Sequence, residues 1–258
     1  ARAFGTSLRV NSSVDQGTTV TTWDEFAKAI KNRDKVINIE DNLYSEEYSV
    51  PITINYDVTI NANGKSLYVN DNTIYLNGSS ADLNVTVKDA HIYGASQATF
   101  YLESGDDDGG NVNLTLDTIN FTGGTLVMSD NTSSLWHKFN LTFKGKNKVI
   151  AGNYNYKDKI ENKDKIEIPS YFPIDDSTNT STTQLYVDNG VKVADNASLT
   201  MHANGKVGYN IMENGFNYGH SFIVGKGATV TLDGANVGNV IQDQYVSAYA
   251  WKNIVDFG

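Results

Sequence analysis

Short runs of alternating apolar and polar residues, four to six residues long, cover most of the chain. Such alternation is typical of β-strands that bury one face. Asparagine and glycine separate the runs, and both residue types favour tight turns. The pattern therefore predicts an all-β protein built from many short strands.

One segment near the N-terminus departs from this alternation and predicts a short amphipathic helix over residues 22–31. Thr22 and Glu25 have the spacing of a capping box, in which the threonine accepts from the amide of Glu25 and the glutamate side chain reaches back. The apolar residues at helical spacing are Trp23, Phe26, Ala27 and Ile30.

After the helix, pairs of apolar residues return at nearly constant intervals. Four such pairs follow one another along the chain: Val58/Ile60, Val85/Val87, Leu114/Leu116 and Leu141/Phe143. Leu199/Met201 follows after close to two further steps, and Val230/Leu232 follows after about one more. A period between about 20 and 50 residues indicates stacked units. We expect coils of a parallel β-helix, with the helix capping the open N-terminal end.

Asparagine is abundant, with 30 residues, and suits this fold because it tolerates left-handed corners and forms amide ladders. Nine Asn-X-Ser/Thr sequons occur. Several lie inside predicted strands, among them Asn84-Val85-Thr86 and Asn140-Leu141-Thr142. We therefore interpret them as ordinary β-helix residues rather than as glycosylation sites.

Composition narrows the class of protein. The 258 residues suffice for a single domain over 1–258, and the absence of cysteine excludes disulfides and cysteine-based metal or redox sites. No stretch approaches the length of a membrane span, so we expect no membrane insertion. Both ends look cut, which suggests a segment of a larger protein.

The net charge of −10 is unevenly distributed. Residues 1–130 contain 8 basic and 18 acidic residues, a charge of −10, whereas residues 131–258 contain 12 of each. Within the second half, Lys138–Lys165 holds 8 lysines against 3 acidic residues, a local charge of +5. Nucleic acid is a poor default partner for such a chain and stays open only at low pH. An anionic polymer could meet the lysine-rich stretch.

The period breaks at 153–184, which predicts an irregular loop with a binding role. Aromatic rings stack on the apolar faces of sugars, and carboxylates accept from sugar hydroxyls. The candidate ligand-binding residues are Tyr154, Tyr156, Tyr171, Phe172, Asp175 and Asp176 in the loop, Trp136 and His137 before it, and Lys144, Lys146 and Lys148, which alternate as on one face of an extended strand. The alternatives are aromatic side chains folded back onto the coils and an ordinary solvated lysine strand.

Calcium is the one cofactor that the sequence leaves open. Asp106, Asp107 and Asp108 supply hard oxygen ligands in a glycine-rich turn. They lack the alternating spacing of known calcium loops, and a solvated turn is the simpler interpretation. We therefore expect no cofactor and no metal.

A family resemblance rests on Thr22–Ile30 followed by Val36-Ile37-Asn38-Ile39. This opening, with the coil period, resembles the pectate-lyase-like adhesive domain of Gram-positive surface proteins over about residues 18–240. The binding regions of lactobacillal serine-rich-repeat adhesins are similar. The resemblance implies a right-handed parallel β-helix displayed outside the cell on a wall-anchored stalk. It also implies binding to glycans or glycoproteins of host surfaces, mucus or biofilm.

Catalysis is the main alternative, since lyases and hydrolases acting on pectin-like uronates share this scaffold. The chain has three arginines, Arg2, Arg9 and Arg33, all before the coils. The arginine-bearing motifs of such enzymes are therefore missing from the body of the chain. We expect a non-catalytic adhesion module that binds acidic polysaccharide or mucin, favoured at low pH. A self-association or biofilm module is the second alternative.

Overall fold

The computed structural model describes most of the N-terminal coils and parts of the later ones. The described residues are 16–46, 51–70, 72–79, 81–94, 98–104, 109–130, 139–151, 181–187, 191–202, 208–213, 222–233, 241–243 and 255–256.

The described strands form a parallel β-solenoid with three faces, which the chain visits in turn. Face one contains β1 (Thr18–Val20), β2 (Val36–Ile39), β5 (Val58–Asn61), the first parts of β8 (Leu83–Gly94) and β10 (Val112–Gly123), β12 (Phe139–Lys144), β15 (Val191–Val193), β18 (Phe222–Val224) and β21 (Val255–Asp256). Face two contains β3 (Leu43–Tyr44), β6 (Ser66–Asn70), the second parts of β8 and β10, β13 (Lys146–Ala151), β16 (Ser198–His202) and β19 (Thr229–Asp233). Face three contains β4 (Ile52–Ile54), β7 (Ile74–Gly78), β9 (Phe100–Ser104), β11 (Val127–Ser129), β14 (Ser181–Tyr186), β17 (Gly208–Glu213) and β20 (Ile241–Asp243).

The apolar residues of the predicted repeat pair with one another from coil to coil on face one. Val58 pairs with Val85, and Val85 pairs with Leu114. Leu114 in turn pairs with Leu141. These side chains are nearly or fully buried, so each coil adds one apolar layer to a continuous core.

The last two pairs of the predicted repeat, Leu199/Met201 and Val230/Leu232, lie on face two and not on face one. The rung after Leu141 on face one is Val191, whereas Leu199 and Met201 belong to face two, where Met201 pairs with Val149. Val230 continues face two beside Leu199. The error arises because faces one and two both place an apolar residue at every second position, so spacing alone does not separate them.

Left-handed residues mark the corner between faces one and two. Successive coils place Asp89 (φ 57°), Thr118 (φ 61°) and Gly145 (φ 69°) there. The predicted use of asparagine at such positions is confirmed at Asn63 and Asn196, with φ of 54° and 62°. Threonine is the unusual case, because a β-branched residue is strained in this conformation.

The predicted N-terminal helix is α1 (Trp23–Lys31). Thr22 accepts from the amide of Glu25 at 3.1 Å, as expected for an N-cap. The Glu25 carboxylate instead accepts from the hydroxyl of Thr21, at 3.1 Å for its nearer oxygen. The buried helix residues are Trp23, Phe26, Ala29 and Ile30, while Ala27, expected on this face, is only partly buried.

Helix α1 covers the first coil. It lies against β1 and β4, which end the strand orders of faces one and three. Just beyond the helix, the Arg33 guanidinium lies 5.0 Å from the centre of the Tyr56 ring and donates to Asn55 Oδ1 at 2.7 Å. Tyr56 donates to the carbonyl of Asp34 at 2.7 Å. These contacts hold the helix over strand edges that would otherwise be open.

The predicted irregular loop would follow β13, which ends at Ala151. Residues 152–180 lie outside the described part of the chain. Residues 181–184, which the sequence predicts to be part of the loop, form the start of β14 on face three. In the described part of the chain, a helix able to cross a bilayer is not found.

Candidate functional site

Three of the predicted ligand-binding residues, Lys144, Lys146 and Lys148, lie in the described part of the chain. The other predicted site residues and the candidate calcium ligands lie outside it: Tyr154, Tyr156, Tyr171, Phe172, Trp136, His137, Asp175, Asp176, Asp106, Asp107 and Asp108.

The three lysines flank a corner rather than sharing one extended strand. Lys144 ends β12, Gly145 takes a left-handed conformation, and Lys146 begins β13. All three lysines are exposed. The prediction of one common strand face is wrong, because alternation in sequence does not reveal a left-handed residue between two strands.

A side chain at position 145 would be unfavourable for two reasons. The positive φ of Gly145 disfavours other residues, and a Cβ there would collide with the Thr118 hydroxyl of the preceding coil. The same collision would involve Asp117 Oδ1, which accepts from Thr118 Oγ1 at 2.9 Å. The corner is thus closely stacked between successive coils.

Strand register adds a fourth lysine to this surface. Lys144 pairs with Asp117, and Asp117 pairs with Lys88. Lys88 is exposed. We call Lys88, Lys144, Lys146 and Lys148 the lysine corner. With Asp89 and Asp117 alongside, four positive and two negative charges leave a formal charge of +2.

Face one beside the lysine corner carries a polar ladder. Asn113 donates to Asn84 at 3.1 Å, and Asn140 donates to Asn113 at 2.9 Å. Thr86, Thr115 and Thr142 form the neighbouring in-register column. The sequons Asn84-Val85-Thr86 and Asn140-Leu141-Thr142 are therefore rungs of the solenoid, as expected from their positions in strands. The side-chain amides of Asn84 and Asn140 each form a hydrogen bond with Asn113, which lies in the coil between them.

Face three carries a partly exposed aromatic column. Tyr75 and Tyr101 pair in register, with ring centroids 5.9 Å apart and ring planes at 57°. Met128 occupies the next rung. We call Tyr75, Tyr101 and Met128 the tyrosine strip. All three alternate with buried neighbours, so each lies on the outer side of its strand.

Hydrogen bonds hold polar groups beside the tyrosine strip. Tyr101 donates its hydroxyl to Asp130 Oδ1 at 2.8 Å, which fixes the ring. Asn77 donates to Glu103 Oε1 at 3.1 Å. The pKa of Tyr101 is raised to about 12, mainly by burial of the hydroxyl. The hydrogen bond to Asp130 and the negative charges of Asp130 and Glu103 add to the effect. The Tyr101 hydroxyl therefore remains a neutral donor across the physiological pH range.

Residue patterning did not single out the tyrosine strip, although a signal exists. Ile74-Tyr75-Leu76-Asn77 and Phe100-Tyr101-Leu102-Glu103 repeat an apolar-Tyr-apolar-polar pattern. The interval between the two segments is close to the coil period. A tyrosine at an outward position in two consecutive coils predicts an aromatic column on the surface.

Two solved structures share this fold. The protein titled SRRP from Lactobacillus reuteri 53608 matches with a TM-score of 0.62 and 20% identity, over 87% of this chain and 73% of that chain. The SRRP from L. reuteri 100-23 matches with a TM-score of 0.57 and 20% identity, over 84% of this chain and 70% of that chain. No protein-family model and no curated protein sequence matches the chain. The chain therefore has the fold of the serine-rich-repeat adhesin binding regions, which confirms this part of the predicted resemblance. The likeness to pectate lyases stays a prediction.

Proposed function

We propose that the chain is a non-catalytic adhesion module of a bacterial surface protein, and that it binds host or biofilm glycans and glycoproteins. Its proposed ligands are acidic polysaccharides or mucin. The observation that carries this proposal is the lysine corner, where four exposed lysines lie around one corner of the solenoid in a chain of net charge −10. The fold shared with two adhesins supports it.

The lysine corner suits an extended anionic polymer. Neighbouring coils repeat about every 4.8 Å, so charges from several rungs meet one polymer strand. Lys144 and Lys88 are two rungs apart, while Lys146 and Lys148 extend the positive surface onto face two. Exposed ammonium groups attract at long range but contribute little each, so binding depends on several of them acting together.

The expected preference for low pH has the same electrostatic origin. Asp89 and Asp117 lie beside the lysines, and the N-terminal half accounts for the whole net negative charge of the chain. The net charge of the chain rises from −10 at pH 7 to about zero near its isoelectric point of 4.8. Repulsion of an acidic polymer therefore fades, provided that the polymer keeps enough of its own charge.

Substitution of the three lysines tests the proposal. K144Q/K146Q/K148Q should weaken binding to pectin and mucin about tenfold, because three contacts of roughly 0.5 kcal/mol each are lost. The matched control is K28Q/K31Q/K35Q, which removes the same charge from exposed residues of the capping region. Equal loss in both variants would show that only net charge matters and would overturn the assignment to this corner.

A pH comparison tests the electrostatic part separately. Retention on pectin and mucin should be stronger at about pH 4.5 than at about pH 7, because the net negative charge of the chain falls to about zero near its isoelectric point of 4.8. Equal or weaker retention at the lower pH contradicts that part.

Ultraviolet-absorbing unsaturated uronides, formed with calcium present, would identify a lyase instead. Concentration-dependent oligomers that ignore glycans would identify a self-association module.

A further inference from the structure

The tyrosine strip has the opposite charge character to the lysine corner. Glu103 and Asp130 lie beside it and accept from neutral groups, the Asn77 amide and the Tyr101 hydroxyl. The described strands of face three contain no lysine and no arginine. An acidic polysaccharide would therefore be repelled by the carboxylates on this face.

We propose that the tyrosine strip is a second glycan-binding surface, which takes a polymer of amino sugars with free, protonated amines. A sugar ring offers an apolar C–H face to Tyr75 and Tyr101, and its hydroxyls bond to carboxylate and amide oxygens. The ammonium group is attracted both to the carboxylates and to the faces of the tyrosine rings. This site is separate from the lysine corner, so either proposal can fail without the other.

The geometry favours a polymer that follows the solenoid axis. Tyr75, Tyr101 and Met128 occupy consecutive rungs, so their column runs along that axis. Glu103 and Asp130 form a parallel column beside Tyr101 and Met128, because Asp130 donates its amide to the carbonyl of Leu102 in the neighbouring coil. One apolar row and one acidic row thus lie side by side.

The strip is also preorganised. The hydrogen bond from Tyr101 to Asp130 fixes the ring and orients the carboxylate before any ligand arrives. The hydrogen bond from the Asn77 amide orients the Glu103 carboxylate in the same way. Fixed side chains lose less conformational entropy on binding. Each carboxylate keeps a second oxygen that can accept from an ammonium or hydroxyl group.

Calorimetric titration of the chain with matched oligosaccharides tests this proposal. The probes are a glucosamine oligomer, its fully N-acetylated counterpart of the same length and an oligogalacturonate. The free-amine oligomer should bind about tenfold more tightly than the acetylated one, the range expected when a cation meets both carboxylates and aromatic faces. Equal affinities for the two would overturn the proposal.

Two variants separate the roles of charge and ring. E103Q/D130N keeps the hydrogen-bond acceptors for Asn77 and Tyr101 but removes both charges, so it should abolish the preference for the free amine. Y75A/Y101A should weaken binding of both oligomers about tenfold. An unchanged preference in the first variant, or unchanged affinity in the second, would contradict the assignment.

The controls remove charge elsewhere. D24N/E40Q takes one aspartate and one glutamate from exposed positions near the N-terminal cap and should leave the amine preference intact. K144Q/K146Q/K148Q should do the same. Oligolysine binding as tight as that of the glucosamine oligomer would show a general cation-binding surface and would overturn the glycan assignment.

Discussion

The solenoid contains two columns of tyrosines with different surroundings. On face two, Tyr44, Tyr68 and Tyr93 stack with centroid distances of 4.8 and 4.9 Å and ring planes within 4° and 15° of parallel. On face three, Tyr75 and Tyr101 lie 5.9 Å apart at 57°. Both columns repeat one residue type in register from coil to coil. They differ in what covers them.

The two columns differ in how deeply the outward-facing side chains of their strands are buried. All five residues of β6, including Tyr68, are buried, whereas β9 alternates so that Tyr101 lies at a partly exposed position. A covered ring contributes its full apolar area to packing. A ring that is fixed but still accessible can contribute to binding. Register alone therefore does not tell a buried aromatic column from one that is accessible to a ligand.

The largest expected effect is on stability, and it separates the two columns. Tyr68→Ala should lower the free energy of unfolding by about 3–5 kcal/mol, as for other large aromatic deletions in cores. Tyr101→Ala should cost only about 1 kcal/mol, mostly the hydrogen bond to Asp130. Urea unfolding of both variants measures this. Equal losses would show that the strip is as much part of the packing as the buried stack.

The fold was accessible from the sequence because a solenoid is locally repetitive. The number of residues per coil can be read from the spacing of the apolar residues Val58, Val85, Leu114 and Leu141. The same residues pair with one another between neighbouring coils. Corners were harder to locate. Gly145 sits between two alternating lysine-bearing segments, and alternation continues through it while the chain turns.

The candidate site was only partly accessible from the sequence for a related reason. Lysines were found because charge clusters along the chain. Glu103 and Asp130 belong to successive coils, far apart in sequence, and become neighbours only through the pairing of β9 with β11. Contacts between coils depend on register, which single-residue patterns do not specify at a polar surface.

A smaller effect concerns the corner where face two begins. Thr118→Asn should raise the free energy of unfolding by about 1 kcal/mol, because asparagine tolerates the left-handed conformation that strains threonine. The matched control is Thr115→Asn in the same strand, which lies at an ordinary extended position and should give no gain. Because neither change touches face three, glucosamine binding should stay the same in both. A gain in the control equal to that of Thr118→Asn would contradict the strain explanation.

An effect of similar size, which changes only at high pH, isolates the hydroxyl of Tyr101. The pKa of this group is raised to about 12 in the folded chain, against about 10 when unfolded. Below pH 10 the hydroxyl is neutral in both states, so its bond to Asp130 stabilises the fold by about 1 kcal/mol. Above that pH the unfolded state loses the proton first, and the advantage declines as pH rises towards 12. Unfolding free energies of the wild type and Tyr101→Phe should therefore converge between about pH 10 and pH 12, while the other tyrosines titrate in both proteins and cancel. A difference that stays constant over this range would show that Tyr101 is no more shielded than an exposed tyrosine, and the contrast between a fixed surface ring and a freely solvated one would no longer hold.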